Sequence, residues 1–598
     1  MESRVLGKNT NFRGAGTTRP EFCGFGPPGP LPIFCNFGRT SMPMNQTTPR
    51  LVPAFLGCLL LLNLAQAAFT ELLYDEAYYW YYAQNISWGY FDHPPMVAWM
   101  IALGSNLIPG ELGVRVVSVL MGVGTLFLLW LLIDAPGKRE NPARVLLWFL
   151  SITLLHAYGF LSLPDTPLLF FTALFLLAYR YFLRSPGMVP AVGLGLVMAA
   201  LMYSKYHAAL VILFVLLSNL KLLRSGYAWL ALAVSLLAYF PHLYWLYEQE
   251  FVSVRYHLFE RPNQPYSFSK FTAGYFLNLI ALFGLTFPWA YLSLWKYRPT
   301  DTFRRSLKFV AWGIFLFFLF SSFQRRIQTQ WLIAACIPMA VLVAETLLTH
   351  PATGKWVARA SIANIAVLLF LRIGLAYEPL FPVPFEAHGN KAWVASLQEV
   401  ADGNPVVFEN SYRQASMYRF YSGETAFSLN NAYYRKNQYS IDDSEARVQG
   451  RRVFFIRVID RETPYYYTDQ AGEKKYGTFL DPFTSYRKLE AGTRPENAYR
   501  PGDTGTFWLY NPYARPVPLA GLKFGIALMD PYKETQSIVG VRPDDTNSLP
   551  EMLAPADSVS FRFRYQDHKG EAPTYIRAVA GVPGLVFGLN GNSQKVDR

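Results

Sequence analysis

The run LVPAFLGCLLLLNLAQAAF, residues 51–69, and the loop that follows it, YDEAYYWYYAQNISWGYFDHPPMVAW, residues 74–99, decide the fold. Nineteen residues without a charge are close to the length of helix that crosses roughly 30 Å of hydrocarbon. Just beyond this run the loop places Asp75, Glu76, Asp92 and His93, among eight Tyr, Phe and Trp residues between Tyr78 and Phe91. Acidic groups beside a bilayer are costly unless solvated or paired, so such a gathering reads as a site. The residues alone leave one alternative open, an aromatic interfacial belt with solvated carboxylates.

Working outward, apolar runs recur near residues 112–133, 145–162, 167–183, 188–204, 207–220, 227–247, 271–295, 309–323, 331–348 and 360–377. With the first run they predict an α-helical polytopic membrane protein of about eleven transmembrane helices. The composition agrees: 52% of the 598 residues are hydrophobic and only 16% charged, which is not a soluble balance. A long multi-span chain after residue 69 makes the first run a retained anchor rather than a signal peptide.

With a cytoplasmic N-terminus, fourteen Lys and Arg from Lys138 to Arg359 fall in inside loops. Six fall outside: Lys205, Arg255, Arg261, Lys270, Arg325 and Arg326. The positive-inside rule favours this orientation. The formal charge of +13 is spread over loops and tail rather than along one groove, so topology explains it better than nucleic acid does. The four cysteines, Cys23, Cys35, Cys58 and Cys336, show neither a disulfide framework nor zinc-ligand spacing.

Three regions follow. Residues 1–48, rich in Gly and Pro, read as a disordered segment, or as sequence upstream of a true start at Met42 or Met44. Residues 49–378 form the membrane domain. Residues 379–598 read as a soluble extracytoplasmic domain, mixed α/β at first and β-rich later, with strand-like stretches at 405–408, 452–458, 506–510, 559–565 and 574–579.

The pattern DEAYYW followed by GYFDHPP resembles the first loop of the dolichyl-phosphate-mannose protein mannosyltransferases, glycosyltransferase family 39, and their bacterial relatives that include the lipid A aminoarabinose transferases. SLPDTPLLFF around Asp165, MYSKYHAAL around Lys205, and the PHLYWLY to RYHLFERP segment at 241–262 are similar to the same family. The resemblance covers residues 51–350. It implies the GT-C membrane fold, an inverting glycosyl transfer, and a donor sugar such as mannose on a polyprenyl phosphate. It also implies a bacterial inner membrane with the site and C-terminal domain facing the periplasm, and a protein, lipid A or other envelope glycan as acceptor. Where aminoarabinose transferases read FEKPP, with the lysine near the lipid phosphate, this chain has Phe91, Asp92, His93, Pro94 and Pro95, so a neutral histidine stands where a cation is expected.

Inverting transfer needs one base for the acceptor hydroxyl and positive charge or metal for the departing phosphate, with no second carboxylate nucleophile. The resemblance makes Asp75 the base and Glu76 a weaker second catalytic candidate. Tyr78, in the same motif, is read as a substrate contact. Asp165 is read as either a helix cap or part of the site, and the two roles are compatible. Lys205, Arg255, Arg261, Arg325 and Arg326 form an outward-facing cationic set for phosphate, against the alternative that Lys205 merely snorkels. His93 could donate to phosphate or fix the Pro94–Pro95 turn. Asp92 and His257 could hold a divalent metal, although the chemistry requires no cofactor. Asn410–Asn437, dense in Tyr, Asn and Arg, is an acceptor-side candidate. The rival function is a transporter or flippase for a lipid-linked or anionic substrate; its charges would sit at the midplane, whereas these gather at the outer boundary.

Overall fold

The computed structural model describes residues 48–261, 263–380, 385–495, 499–544, 549–566 and 572–597. The segment 1–48 expected to be disordered lies, save its last residue, outside them. The membrane part contains α1 (Leu51–Phe69), α2 (Tyr74–Ala83), α3 (Met96–Ser105), α4 (Gly110–Leu132), α5 (Pro142–Ser151), α6 (Thr153–Ala157), α7 (Asp165–Arg184) and α8 (Met188–Ser204). It continues through α9 (Ala208–Ser218), α10 (Gly226–Glu248), α11 (Val252–Arg255), α12 (Gly274–Phe283), α13 (Phe287–Lys296), α14 (Thr302–Ser321), α15 (Cys336–Thr349) and α16 (Pro351–Ala376).

Each of the eleven apolar runs contains helix, and the protein is a multi-pass membrane protein. Among the described residues, seven helical segments are long and apolar enough to cross a membrane by length and composition. The remaining runs fall on helices that are shorter or charged, for local reasons. Ile152, in an extended conformation, separates α5 from α6, and the first two turns of α14 carry Arg304, Arg305 and Lys308. The run 271–295 is itself interrupted at Gly284, whose φ of +54° suits glycine. Asn364 of α16 caps that break, its side-chain oxygen accepting from the Leu285 N–H at 3.1 Å.

The tail begins with α17 (Asn390–Ala401) and α18 (Tyr412–Ser422), which accompany a five-stranded sheet. Its strands are β1 (Val406–Glu409), β2 (Ala426–Leu429), β3 (Val453–Ile456), β4 (Tyr465–Thr468) and β5 (Lys474–Leu480), in the order β2-β1-β3-β5-β4. β1 runs parallel to β2 and β3, so the early tail is mixed α/β. The later tail is all β. It contains β6 (Glu490–Arg494), β7 (Thr504–Tyr510), β8 (Val517–Pro518), β9 (Lys523–Met529), β10 (Thr535–Val541), β11 (Met552–Leu553), β12 (Ser558–Arg564), β13 (Tyr575–Gly581) and β14 (Gln594–Lys595). Two of its sheets, β12-β7-β6 and β10-β9-β13-β14, share an apolar core that includes Phe507, Phe524, Phe561 and Ile576.

Two polar ends bracket the helices. Near the start of α4, Glu111 is ion-paired with Lys391 of the tail at 2.6 Å; at its end, the Leu132 carbonyl accepts from Arg180 at 2.9 Å. The 23 residues of α4 put its two ends about 35 Å apart. Arg304 with Glu345 and Arg184 with Asp134, each at 2.8 Å, lie at the end remote from the tail. At the near end the first loop and the tail are packed together. One apolar core takes Leu72, Tyr78, Tyr82 and Tyr90 from the loop and Trp393, Phe408 and Tyr418 from the tail. Tyr81 stacks on Tyr439 with ring centroids 4.1 Å apart, and Tyr78 meets Tyr412 at 4.3 Å.

Candidate active site

The first turn of α2 carries two adjacent carboxylates, and adjacent helical positions face different directions. Glu76 turns inward and is fully buried, as is its partner Arg115 of α4. Its Oε1 accepts from Arg115 Nε and from the Ser162 N–H, both at 2.8 Å, while Oε2 accepts from Arg115 Nη2 and from the Leu73 N–H. Arg115 further donates to the carbonyls of Ala67, Thr70 and Glu71. Glu76, expected as a second catalytic group, is therefore an anchor that ties α2 to α1 and α4. Asp75 turns outward with 43% of its side chain exposed, and meets Arg413 Nη2 of α18 at 3.4 Å.

Loop 84–95 is fixed over this pair. A Cβ at Gly89 would collide with the Trp245 indole of α10, so the glycine of GYFDHPP is a contact requirement. His242, fully buried, holds the Trp88 carbonyl through Nδ1 at 2.7 Å and the Tyr206 hydroxyl through Nε2 at 3.2 Å. Ser253 donates to the Tyr90 carbonyl at 3.1 Å, and the Phe91 N–H donates to Gln438 of the tail at 3.0 Å. The PHLYW and RYH segments therefore converge on the first loop.

Asp92 is at the centre of that convergence. Its Oδ1 accepts from Arg435 Nη1 at 2.8 Å and its Oδ2 from the Tyr78 hydroxyl at 3.0 Å, while the Tyr78 oxygen accepts from the Gln438 N–H at 2.8 Å. Tyr78 is thus buried and bonded, not open to a substrate as expected. Burial would raise the Asp92 carboxyl, but the Arg435 guanidinium, with His93 and His257 close by, holds it below the usual carboxylate range. His257 directs Nε2 at the Asp92 carbonyl, 3.0 Å away, not at a shared metal position. Among the described residues no three His, Cys, Asp or Glu groups converge as metal ligands. In this structure the His257–Asp92 contact anchors the loop through the backbone.

His93 packs edge-on against Tyr79 at 5.5 Å, and its Nδ1 is buried without a hydrogen-bond partner. Its carbonyl accepts from the Tyr90 N–H at 3.2 Å, closing the turn before Pro94. Burial pushes His93 down to about 3, and burial lowers His257 as well, so both are neutral near pH 7. When pH falls below the ordinary histidine value of 6.5, the unfolded chain takes up protons that these folded groups refuse, so stability drops with falling pH. The detergent-solubilised protein is expected to melt at lower temperature at pH 5.5 than at pH 7.5. Equal melting temperatures would show these histidines free to protonate.

The expected cationic set divides. Lys205 forms a buried ion pair with Asp165 at 2.6 Å, which ties the start of α7 to the end of α8. Asp165, the first residue of α7, thus serves Lys205. Arg255 is ion-paired with Glu250 at 3.0 Å and reaches Glu260 at 4.0 Å. Arg261, Arg325 and Arg326, joined by Lys270, line a cavity of about 610 Å³ whose described walls hold no Asp or Glu and include the amides of Asn263, Asn278, Gln328 and Gln330. Burial and the neighbouring Arg261 charge push the Arg325 guanidinium below its ordinary value. Trp331 on the cavity wall lies 5.7 Å from the His207 ring, and His207 is within electrostatic range of Lys205, His93 and Arg261. Tyr79 is likewise within range of Asp75, Asp92 and Asp165, so cavity and loop share one end of the protein.

Three participants escaped the sequence reading as individuals. Arg115 stood in an apolar run, where an intramembrane arginine is itself a signal. Arg413 and Arg435 were visible only as part of the Tyr- and Arg-dense stretch 410–437. Arg435 also lies over the Tyr412 ring at 4.7 Å and donates to the Tyr256 hydroxyl at 3.2 Å.

Comparison with known proteins adds to this geometry. Residues 92–245 match the family described as dolichyl-phosphate-mannose-protein mannosyltransferase. The lipid A galacturonosyltransferase RgtD of Rhizobium johnstonii is 28% identical over 202 residues, covering 31% of this chain and 41% of that protein. The lipopolysaccharide core galacturonosyltransferase RgtA of the same organism is 28% identical over 193 residues, covering 29% of this chain and 36% of that one. The chain thus spans less than half the length of either relative. Among solved structures, ArnT from Cupriavidus metallidurans bound to undecaprenyl phosphate is similar with a TM-score of 0.48 and 16% identity, covering 68% of this chain and 93% of ArnT. Over residues 92–245 the chain is similar to the dolichyl-phosphate-mannose-protein mannosyltransferase family, the family that its first-loop motifs resemble.

Proposed function

We propose that this protein is an inverting GT-C glycosyltransferase that moves a sugar from a polyprenyl-phosphate donor to a hydroxyl of an envelope acceptor. The membrane domain is 49–378 and the accessory domain 379–598, and the site faces the periplasm of a bacterial inner membrane. The observation that carries this reading is a division of labour at one end of the helices: an accessible carboxylate, Asp75, on a locked helix, and a cationic cavity without described acidic lining. The family description supports a polyprenyl-phosphate sugar as donor. The names of the two Rhizobium relatives support lipid A or lipopolysaccharide core as acceptor, and a uronic acid as a rival to mannose.

In this reaction Asp75 takes the proton of the acceptor hydroxyl as that oxygen bonds to the anomeric carbon. The bond from that carbon to the phosphate oxygen breaks, and its electron pair leaves with the lipid phosphate. Arg261, Arg325, Arg326 and Lys270 neutralise the departing charge; forked guanidinium groups suit phosphate geometry. Asp165 with Lys205, and Asp92 with Arg435, hold the surrounding loops.

The test is transfer of labelled sugar from a panel of polyprenyl-phosphate donors into an envelope glycolipid fraction by protein in lipid nanodiscs. Label is expected in the acceptor for one donor class. Movement of intact donor across a bilayer with no transfer would replace the transferase by a flippase. Arg325→Ala and Arg326→Ala should each raise the donor KM by about tenfold or more, the cost of a lost hydrogen bond to a charged group. Unchanged donor kinetics in both variants would remove the cavity from the reaction.

A further inference from the structure

The tail does more than cover the first loop. It presents one guanidinium, Arg413, to the one accessible carboxylate of α2, and the contact differs from the two buried pairs beside it. Glu76–Arg115 and Asp165–Lys205 are buried and short, whereas Asp75–Arg413 is a single contact at 3.4 Å with side chains 43% and 50% exposed. Exposed pairs of this kind are weak and readily parted. Arg413 also has a second carboxylate within electrostatic range: Glu386, in the segment leading to α17, which is half-buried and lies close to both Asp75 and Arg413.

Charge bookkeeping gives this arrangement a purpose. A cation fixed on a carboxylate favours its ionised form and opposes the protonation that a general base must undergo. Once Asp75 is neutral, Arg413 has lost its counter-ion there. Burial first, and then the Asp75 charge, raise the Glu386 carboxyl. Neutralising Asp75 removes the second of these effects and leaves Glu386 the better partner for the arginine. Among the described residues, Tyr79 of the same helix and Tyr158 before α7 are also within electrostatic range of Asp75, and neither is a cation that could take over this role.

We propose that Arg413 is a positioning residue for the Asp75 base, and that it passes from Asp75 to Glu386 as the acceptor hydroxyl gives up its proton. This rests on the reading of Asp75 as the base. The C-terminal domain then completes the reaction centre, and the tail and membrane domain must be present together for turnover.

The experiment compares wild type, Arg413→Gly, Arg413→Lys, Glu386→Gln and Asp75→Asn as full chains in nanodiscs, over donor and acceptor concentrations. Arg413→Gly should lower kcat by about 10- to 100-fold, the scale of a mispositioned catalytic group, with a much smaller effect on either KM. Millimolar guanidinium should restore part of the rate, and Arg413→Lys should retain more than Arg413→Gly. Glu386→Gln should lower kcat while the tail remains docked by protease protection. A wild-type rate in Arg413→Gly, a loss in folded protein that neither guanidinium nor lysine mends, or a silent Glu386→Gln would overturn the proposal. If Asp75→Asn is inactive while Arg413→Gly is fully active, only the role of Arg413 falls. If Asp75→Asn keeps the wild-type rate, the base assignment falls as well.

Discussion

Asp75→Asn is expected to reduce kcat by about 10²- to 10⁴-fold, the range that a positioned general base contributes. The substitution keeps shape and hydrogen bonding but removes the proton acceptor. It should leave the fold intact, because the side chain is 43% exposed and its single ion-pair contact, Arg413, is half-exposed as well. Donor binding should change little, since the cationic cavity is lined by other residues. Transfer kinetics alongside a melting curve check both halves. A loss of less than tenfold with normal melting would mean that another group takes the acceptor proton.

The neighbouring carboxylate should behave in the opposite way. Arg115→Met leaves Glu76 charged, buried and without its counter-ion, and breaking such a pair from one side costs about 3–5 kcal/mol. That is a large share of the 5–15 kcal/mol that typically separates folded from unfolded protein. The same change removes the donors to the Ala67, Thr70 and Glu71 carbonyls, so α1, α2 and α4 lose their common tie. The expected result is a marked drop in melting temperature or loss of folded protein, whichever substrate is supplied. Glu76→Gln in the Arg115→Met background should recover part of the loss, because no bare charge then remains buried. Wild-type melting of Arg115→Met would show the pair to be dispensable and reopen Glu76 as a catalytic candidate.

The two predictions mark where reading the sequence succeeds and where it stops. Helices were legible because lipid demands long apolar runs, and all five strand-like stretches of the tail fall on β1, β3, β7, β12 and β13. The first loop stood out in the sequence because ionisable and aromatic residues cluster where neither is easily accommodated. Which of Asp75 and Glu76 faces out was not legible. The answer depends on Arg115, 39 positions from Glu76, meeting it across a helix interface. The cationic set was legible as a set but not in its division: Asp165 reaches Lys205 across 40 positions, while Glu250 and Glu260 claim Arg255 locally. The partner of Asp92 was not legible for the same reason. Arg435, 343 positions from Asp92, takes that carboxylate, and nothing near Asp92 in the chain announces it.

The measurement that bears most directly on the account is the anomeric configuration of the product. The full-length protein in nanodiscs would be given a polyprenyl-phosphate sugar of known linkage and an envelope glycolipid acceptor, and the new glycosidic bond read by NMR. One displacement with Asp75 as base predicts transfer with inverted configuration, lost in Asp75→Asn. Retained configuration, or transfer that persists in Asp75→Asn, would contradict it.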